Sequence, residues 1–448
     1  MAKNVISFKL NSMNCLIKII LTLLLVILSN FAFGQGNIWP LQKCIDKALE
    51  NNLEIKISQL EIKRVQRSRN SVWNQLLPTV SFNGSQSYNF GSTIDPSTNG
   101  RVSSNIQYDN FYINASMNLI DFNSLANAQK SKIEIEKAKA EKEIIENEYK
   151  LQILDSYYQA LFTQELLKIQ KEQFKNALLN LARISKEVEI GSKPKSDLYD
   201  FQLSFTQEEK RILETEQLLK IQKTQLFQLI NAIENLTSDV VLSPSYSILN
   251  TSNSSEILNP KIKFAELNYK SSLKELKIQR AYNLPILSSF YSISSFYYKP
   301  LNQPNIAVDN FKTQIENNKN QQLGVQLSLP LFNGFRNNKK IVASKIESEK
   351  NKFLIEQEKQ KIENQIHLEE QTKQNYHQLK TKLNETLQHS KASFTTSLAK
   401  FESGKIDAFT LLSVKNLVLS SSFEVLKNDL QIEYVDLKMN LIKKNQLN

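Results

Sequence analysis

Three histidines are the residues of this chain best suited to hold a transition metal, and their spacing forbids it. His367, His377 and His389 are 10 and 12 residues apart. On a helix that is a rise of ~15–18 Å, too far to share one ion, and the four-residue interval that puts two imidazoles on one face never occurs. The nine glycines are too scattered to form a loop that cradles phosphate. Serines and acids are plentiful, but none sits in a nucleophile motif. Cys44 has Leu41, Ile45, Ala48 and Leu49 at helical intervals, the setting of a small buried side chain rather than a reactive thiol. The Tyr157-Tyr158 pair reads as packing between helices. No catalytic residue, metal site or cofactor site is expected, and the chain is read as not an enzyme.

The elements that carry these residues are long. No Gly or Pro falls in 123–190, 195–243, 335–403 or 405–448. Those runs are rich in Leu, Lys, Glu and Gln, which favour helix. A helix of nearly 70 residues, as 123–190 and 335–403 allow, reaches roughly 100 Å and belongs to a coiled coil or a tube rather than to a compact globule. In 123–190, Phe174, Ala177, Leu181, Ile184 and Val188 step by three and four, a coiled-coil seam. In 405–448 two stripes run side by side, Leu411, Val414, Val418, Ser421 and Val425, then Leu419, Phe423, Leu426 and Leu430. Two stripes suit a helix with a neighbour on each side, as in a tube wall.

The same order of elements occurs twice. Asn52 precedes Pro78 by 26 residues, and Asn259 precedes Pro285 by 26. Gly191 and Gly404 each interrupt a long Gly- and Pro-free stretch. The expected organisation is a leader at 1–34, a first repeat at 35–243, a linker at 244–258 rich in Ser, Asn and Thr, and a second repeat at 259–448. Each repeat holds a helix, a hairpin (79–120 and 286–332) and two long helices (123–190 with 195–235, and 335–403 with 405–448). The leader combines Lys3, Lys9 and Lys18, an apolar run from Ile19 to Leu28, and Ala32-Phe33-Gly34 before Gln35. That is a secretory signal, too short to span a membrane comfortably. Cys15 precedes the apolar run and is badly placed for lipid attachment. Removal of the leader leaves Cys44 alone, with no internal disulfide possible.

The formal charge of +11 falls to about +8 without the leader. Charges alternate in sign along the helices, as in 132–150, the mark of a solvated helix face rather than of a nucleic-acid-binding patch. Nucleic acid is not an expected partner.

Within the hairpins, side chains alternate. Phe111, Ile113, Ala115, Met117 and Leu119 oppose Tyr112, Asn114, Ser116 and Asn118. Leu323, Val325, Leu327, Leu329 and Leu331 oppose Gln322, Gly324, Gln326 and Ser328. Pro78, Pro285 and Pro330 mark strand boundaries. Four strands of this length can cross a bilayer when tilted, with one face to lipid and one to water. Four strands cannot close a barrel, and an open edge in lipid leaves backbone amides unpaired at several kcal/mol each. Several copies must therefore join.

Several segments give the chain a family likeness: LQKCIDKALENNLEIK (41–56), NQLLPTVSF (74–82), VQLSLPLFNGFR (325–336), IGSKPKSDL (190–198) and SGKIDAFTLL (403–412). In that order and duplication the chain resembles the TolC family of outer-membrane efflux and secretion channels over nearly its whole mature length. The resemblance implies a mainly α fold with transmembrane β structure. Long coiled-coil helices would form a periplasmic tunnel, and four strands per chain would enter a trimeric twelve-stranded barrel in the outer membrane. The equatorial linker would be 236–260, with 91–107 and 299–320 facing the exterior. Partners would be two further copies, outer-membrane lipid, a periplasmic adaptor and an inner-membrane exporter. Gly191, Ser192 and Asp197, with Gly404, Lys405 and Asp407, would form the adaptor-facing tips. The family places acids six and nine residues after the second glycine, where this chain has Thr410 and Ser413. The first-half counterparts are Asp197 and Asp200, which could supply a negative ring; Asp197 could equally serve the start of the next helix. Two rival readings are a secreted coiled coil without a pore and a periplasmic adaptor.

Overall fold

The computed structural model describes residues 38–94, 98–103, 105–232, 240–244, 257–301 and 307–447. The leader and most of the 244–258 linker lie outside them. In chain order the elements are β1 (Ile38–Pro40), α1 (Leu41–Asn51), α2 (Leu53–Arg67), α3 (Val72–Leu76), β2 (Thr79–Asn89), β3 (Ser92–Ile94), β4 (Arg101–Ser103) and β5 (Ile106–Ile120). Then follow α4 (Phe122–Glu189), α5 (Lys195–Leu229), β6 (Val241–Ser243), α6 (Pro260–Ala281), β7 (Ile286–Pro300), α7 (Phe311–Asn317), β8 (Asn320–Ser328), α8 (Arg336–Glu402) and α9 (Ala408–Lys444). The chain is mainly helical, and it divides into two units.

One unit, Ile57–Ile144 with Pro260–Lys361, holds the principal sheet. Its strands run antiparallel in the order β2-β5-β7-β8, so β5 and β7 are inner strands and β2 and β8 are edges. Pro78 stands just before β2 and Pro285 just before β7, where a missing amide interrupts no ladder. The 321–332 strand is shorter than expected. β8 ends at Ser328, because Pro330 lacks a donor and restricts Leu329, so Leu329 and Leu331 extend no strand face. Leu119 falls at a register shift between Asn118 and Ile120 and leaves the alternation it was expected to continue. Two segments expected to be loops contain structure. The 91–107 stretch pairs β3 with β4, and the 299–320 stretch contains α7.

Helix α7 begins where the Asn310 side chain accepts the Thr313 amide at 2.9 Å. It covers the part of β7 that outruns β8. The Gln314 side chain accepts the Tyr298 amide at 2.9 Å and donates to the Tyr298 carbonyl at 3.0 Å, as a neighbouring strand would. Asn318 donates to the Phe296 carbonyl at 2.9 Å. Both edge strands carry a glycine under an aromatic ring from the inner strand. A Cβ added at Gly324 would lie 2.5 Å from Phe290, and one at Gly84 would lie 3.1 Å from Phe111.

The second unit gathers 38–56, Ile145–Asn259 and Ile362–Asn448. Its core packs Trp39, Leu41, Ile45, Ile153, Leu154, Tyr157, Leu161 and Phe227. Cys44 is fully buried there, and desolvation pushes its thiol up to about 12 against a smaller opposing pull from Lys43. β1 and β6 pair in parallel, and side chains tie them to α4. The Tyr157 hydroxyl lies 2.8 Å from the Trp39 carbonyl and 2.7 Å from the Ser243 carbonyl. Gln164 accepts the Leu242 amide at 2.9 Å and donates to its carbonyl at 2.8 Å. Helix α5 stops at Leu229 rather than at 235. Asn231 turns left-handed (φ 53°), and the amides of Asn231 and Ala232 close back on Gln228 and Phe227. α9 is long and apolar enough to cross a membrane by length and composition. Leu411, Leu430, Val435 and Leu441 along it are nevertheless buried against neighbouring protein.

Candidate functional site

Two places in the fold carry the residues singled out by sequence. The first is the pair of glycine turns in the second unit. Gly191 (φ +76°) and Gly404 (φ +72°) both adopt the left-handed conformation that a Cβ disfavours. The turns are built alike. After α4, the Gly191 amide donates to Val188 at 3.1 Å and the Ser192 amide to Glu187 at 2.8 Å. After α8, the Gly404 amide donates to Phe401 at 3.0 Å and the Lys405 amide to Lys400 at 2.8 Å. In each case the last orphan carbonyls of a helix are satisfied and the chain reverses within a few residues.

The turns are fastened to each other. Lys193 donates to the Phe401 carbonyl at 2.6 Å, and its ammonium lies 3.9 Å from the centre of the Phe401 ring. Arg183 pairs with Glu402 at 2.9 Å. Beneath them Ile184, Phe201, Phe401, Ala408, Leu411 and Leu412 form a separate small core. Farther along the helices, Lys415 and Glu208 form an ion pair at 2.9 Å, each side chain about nine-tenths covered.

The two helix starts use acids differently. Asp407 precedes α9 and caps it, accepting the Thr410 amide at 2.9 Å. Hydrogen bonds from Thr410 hold its carboxyl below the usual carboxylate range. At α5 the same position is Pro194, which offers no side-chain cap, and the acid appears in the first turn as Asp197. Asp197 is only 6% exposed, while Asp200 is half-buried. Burial in the first turn favours the helix-start role for Asp197. Ser192, Lys405, Asp407, Thr410 and Ser413 are exposed. Large apolar side chains stand exposed around the same turns: Ile190 at 78%, Phe409 at 69% and Tyr199 at 64%. The spacing of polar residues gave no sign of this apolar rim.

The second place is the sheet. Paired residues project to the same side, so the registers sort its side chains. One face bears Val80, Phe82, Ile113, Ala115, Leu323 and Val325. Its leucines, valines and phenylalanine on the edge strands lie open: Phe82 is 68% exposed, Leu323 77% and Val325 65%. The opposite face bears Ser81, Asn83, Asn114, Ser292 and Gln322. An apolar face this open, on a sheet whose two edges have no partner strand among the described residues, is unsuited to water. Around β7 and α7, Phe311 packs against Phe111 and Tyr297 with ring centres 6.0 and 5.3 Å apart.

Residues 44–232 match the family described as outer membrane efflux protein. No curated protein matches the chain. Among solved structures, the chain is similar to CusC, a protein studied for transmembrane channel formation (14% identity, TM-score 0.76, covering 90% of this chain and 92% of CusC). It is similar to the outer membrane protein VceC of Vibrio cholerae (13%, TM-score 0.72, covering 91% and 97%). The MtrE outer membrane channel of Neisseria gonorrhoeae, solved in its open state, shares 16% identity with a TM-score of 0.67 over 91% of this chain and 90% of its own.

Proposed function

We infer, from the match of residues 44–232 to the outer membrane efflux protein family, that this chain is the outer-membrane duct of an export machine. The observation that carries the reading is the four-stranded sheet with one apolar face, one polar face and two edges unpaired among the described residues. In lipid those edges need partners, and the β8 edge of one copy can meet the β2 edge of the next. Three copies bring twelve strands, enough to close around water. The duct is passive. Energy comes from an inner-membrane exporter, reached through a periplasmic adaptor that meets the two glycine turns.

At those turns Ile190, Tyr199 and Phe409 offer apolar contact, while Ser192, Lys405 and Asp407 supply a polar rim. Such an arrangement suits the end of a partner helical hairpin. Of the acids, Asp200 is the better candidate for a negative ring at the constriction, since Asp197 is buried. The test is to purify the full chain in detergent and reconstitute it in planar bilayers. A trimer that opens discrete conductances supports the duct; a monomer stable without detergent overturns it. Ile190→Asp with Phe409→Asp is expected to abolish cross-linking to the adaptor while leaving the trimer intact. Unchanged cross-linking would remove the docking assignment.

A further inference from the structure

The polar face of the sheet carries no ionised side chain. Followed through the registers from Thr79 to Ser328, it presents Ser, Thr, Asn, Gln and aromatic residues, with Ile106, Ile286, Pro300 and Gly324 as the remaining members. No Asp, Glu, Lys or Arg occurs there, although 23% of the chain is charged. The charges of the paired strands, Asp109 and Lys299, both fall on the other face and toward one end. A face that only needed to be wet would tolerate charge readily, since water solvates it well. Its absence at every position requires a different account.

The residues present have a common chemistry. β2 supplies only hydroxyls and amides at alternate positions from Thr79 to Asn89. β5 and β7 add aromatic rings among them: Asn110 faces Phe296, Tyr108 faces Tyr298, and Tyr112 faces Ser294. The Tyr108 and Phe296 rings lie 5.6 Å apart. Amides donate and accept at once, and so match a hydroxyl that does both. Aromatic rings offer flat apolar faces with little entropy to lose. Rings set among amides and hydroxyls fit the alternating C–H and O–H surfaces of a sugar. A charged molecule finds no counter-charge here to replace its hydration, and no charged ring exists in this segment to select ions.

We propose that this face is a binding wall for neutral polyhydroxylated molecules of the oligosaccharide class. It rests on the duct reading, in which the face lines water inside a trimeric barrel. Three copies repeat the wall around the lumen, so a linear sugar meets rings and amides on every side. Charge then plays no part in what this segment retains.

The test uses the full-length trimer and maltohexaose as probe. In planar bilayers, millimolar maltohexaose is expected to interrupt the current reversibly, with dwell times equal in low and high salt. Hexalysine and hexaglutamate are expected to leave the current unbroken at this segment. Tyr112→Ala and Phe296→Ala should each shorten the sugar's dwell by about three- to tenfold. Saturation-transfer NMR on the detergent-solubilised trimer reads the same binding without current, so a closed tip does not hide it. Open channels with no interruption and no NMR transfer would overturn the binding wall while leaving the duct intact. So would interruptions that both alanine variants leave unchanged. A protein that forms neither trimers nor channels would instead overturn the duct reading, and this inference with it.

Discussion

Gly191 and Gly404 have nothing within 4 Å of where a Cβ would stand, so steric crowding does not require glycine at either turn. The backbone does. At φ +76° and +72° an L-residue is strained by about 1 kcal/mol. Gly191→Ala and Gly404→Ala are each expected to lower the stability of the second unit by that amount, and Gly191→Asn by less, because asparagine tolerates the left-handed region. Denaturant midpoints read this directly. Equal losses for alanine and asparagine would show that the turn chemistry is not what holds these positions. Both glycines were legible as helix breaks, because each is isolated in a long run of helix formers. The ties around them were not. Lys193 reaches the Phe401 carbonyl across 208 positions, and Tyr157 reaches Trp39 across 118. Bonds to distant backbone leave no spacing in a sequence, and any donor of the right length would have looked the same.

At the scale of elements, alternation in β5 and β8 was visible because one face is apolar from Phe111 to Met117 and from Leu323 to Leu327. Register and strand order were not visible, since pairing of the two hairpins through β5 and β7 depends on surfaces more than 160 positions apart. Helix α7 was missed for a different reason. At seven residues it is too short to show a helical period, and its one local signal is the Asn310 cap. Its role lies in what β8 leaves uncovered. β8 pairs with β7 only as far as Ser294, and the remaining stretch would otherwise offer free amides to any strand. Gln314→Ala removes both side-chain hydrogen bonds to the Tyr298 backbone and is expected to cost about 1–3 kcal/mol. Gln314→Glu keeps the acceptor but sets a carboxylate against the Tyr298 and Asp309 carbonyls to which the amide donates, so it should cost at least as much as alanine near neutral pH. Urea titration of the detergent-solubilised protein orders the three. If alanine equals wild type, α7 does not cover the free edge of β7.

For the whole molecule, the decisive question is which side of the sheet meets lipid. Val325 and Gln322 sit near the middle of the same edge strand and project to opposite sides. Val325 is 65% exposed in the single chain. If the apolar face is bathed in hydrocarbon, Val325→Lys puts an ammonium into lipid near the midplane, at about 2–4 kcal/mol per copy. A trimer carries that cost three times over, enough to prevent insertion or assembly. Gln322→Lys places the same charge in the water-filled interior, where it is solvated. It is expected to assemble normally and to shift the pore toward anions, because three lysines then ring the lumen. The two substitutions add the same group to neighbouring parts of one strand, so any difference between them reports the environment of the face and not the strand's tolerance of lysine. Heated and unheated gel mobility of outer-membrane fractions measures assembly, and reversal potentials measure selectivity. Trimers formed equally well by both variants, or lost equally in both, would mean that the apolar face does not lie against lipid, and the argument for closure by three copies would fail with it.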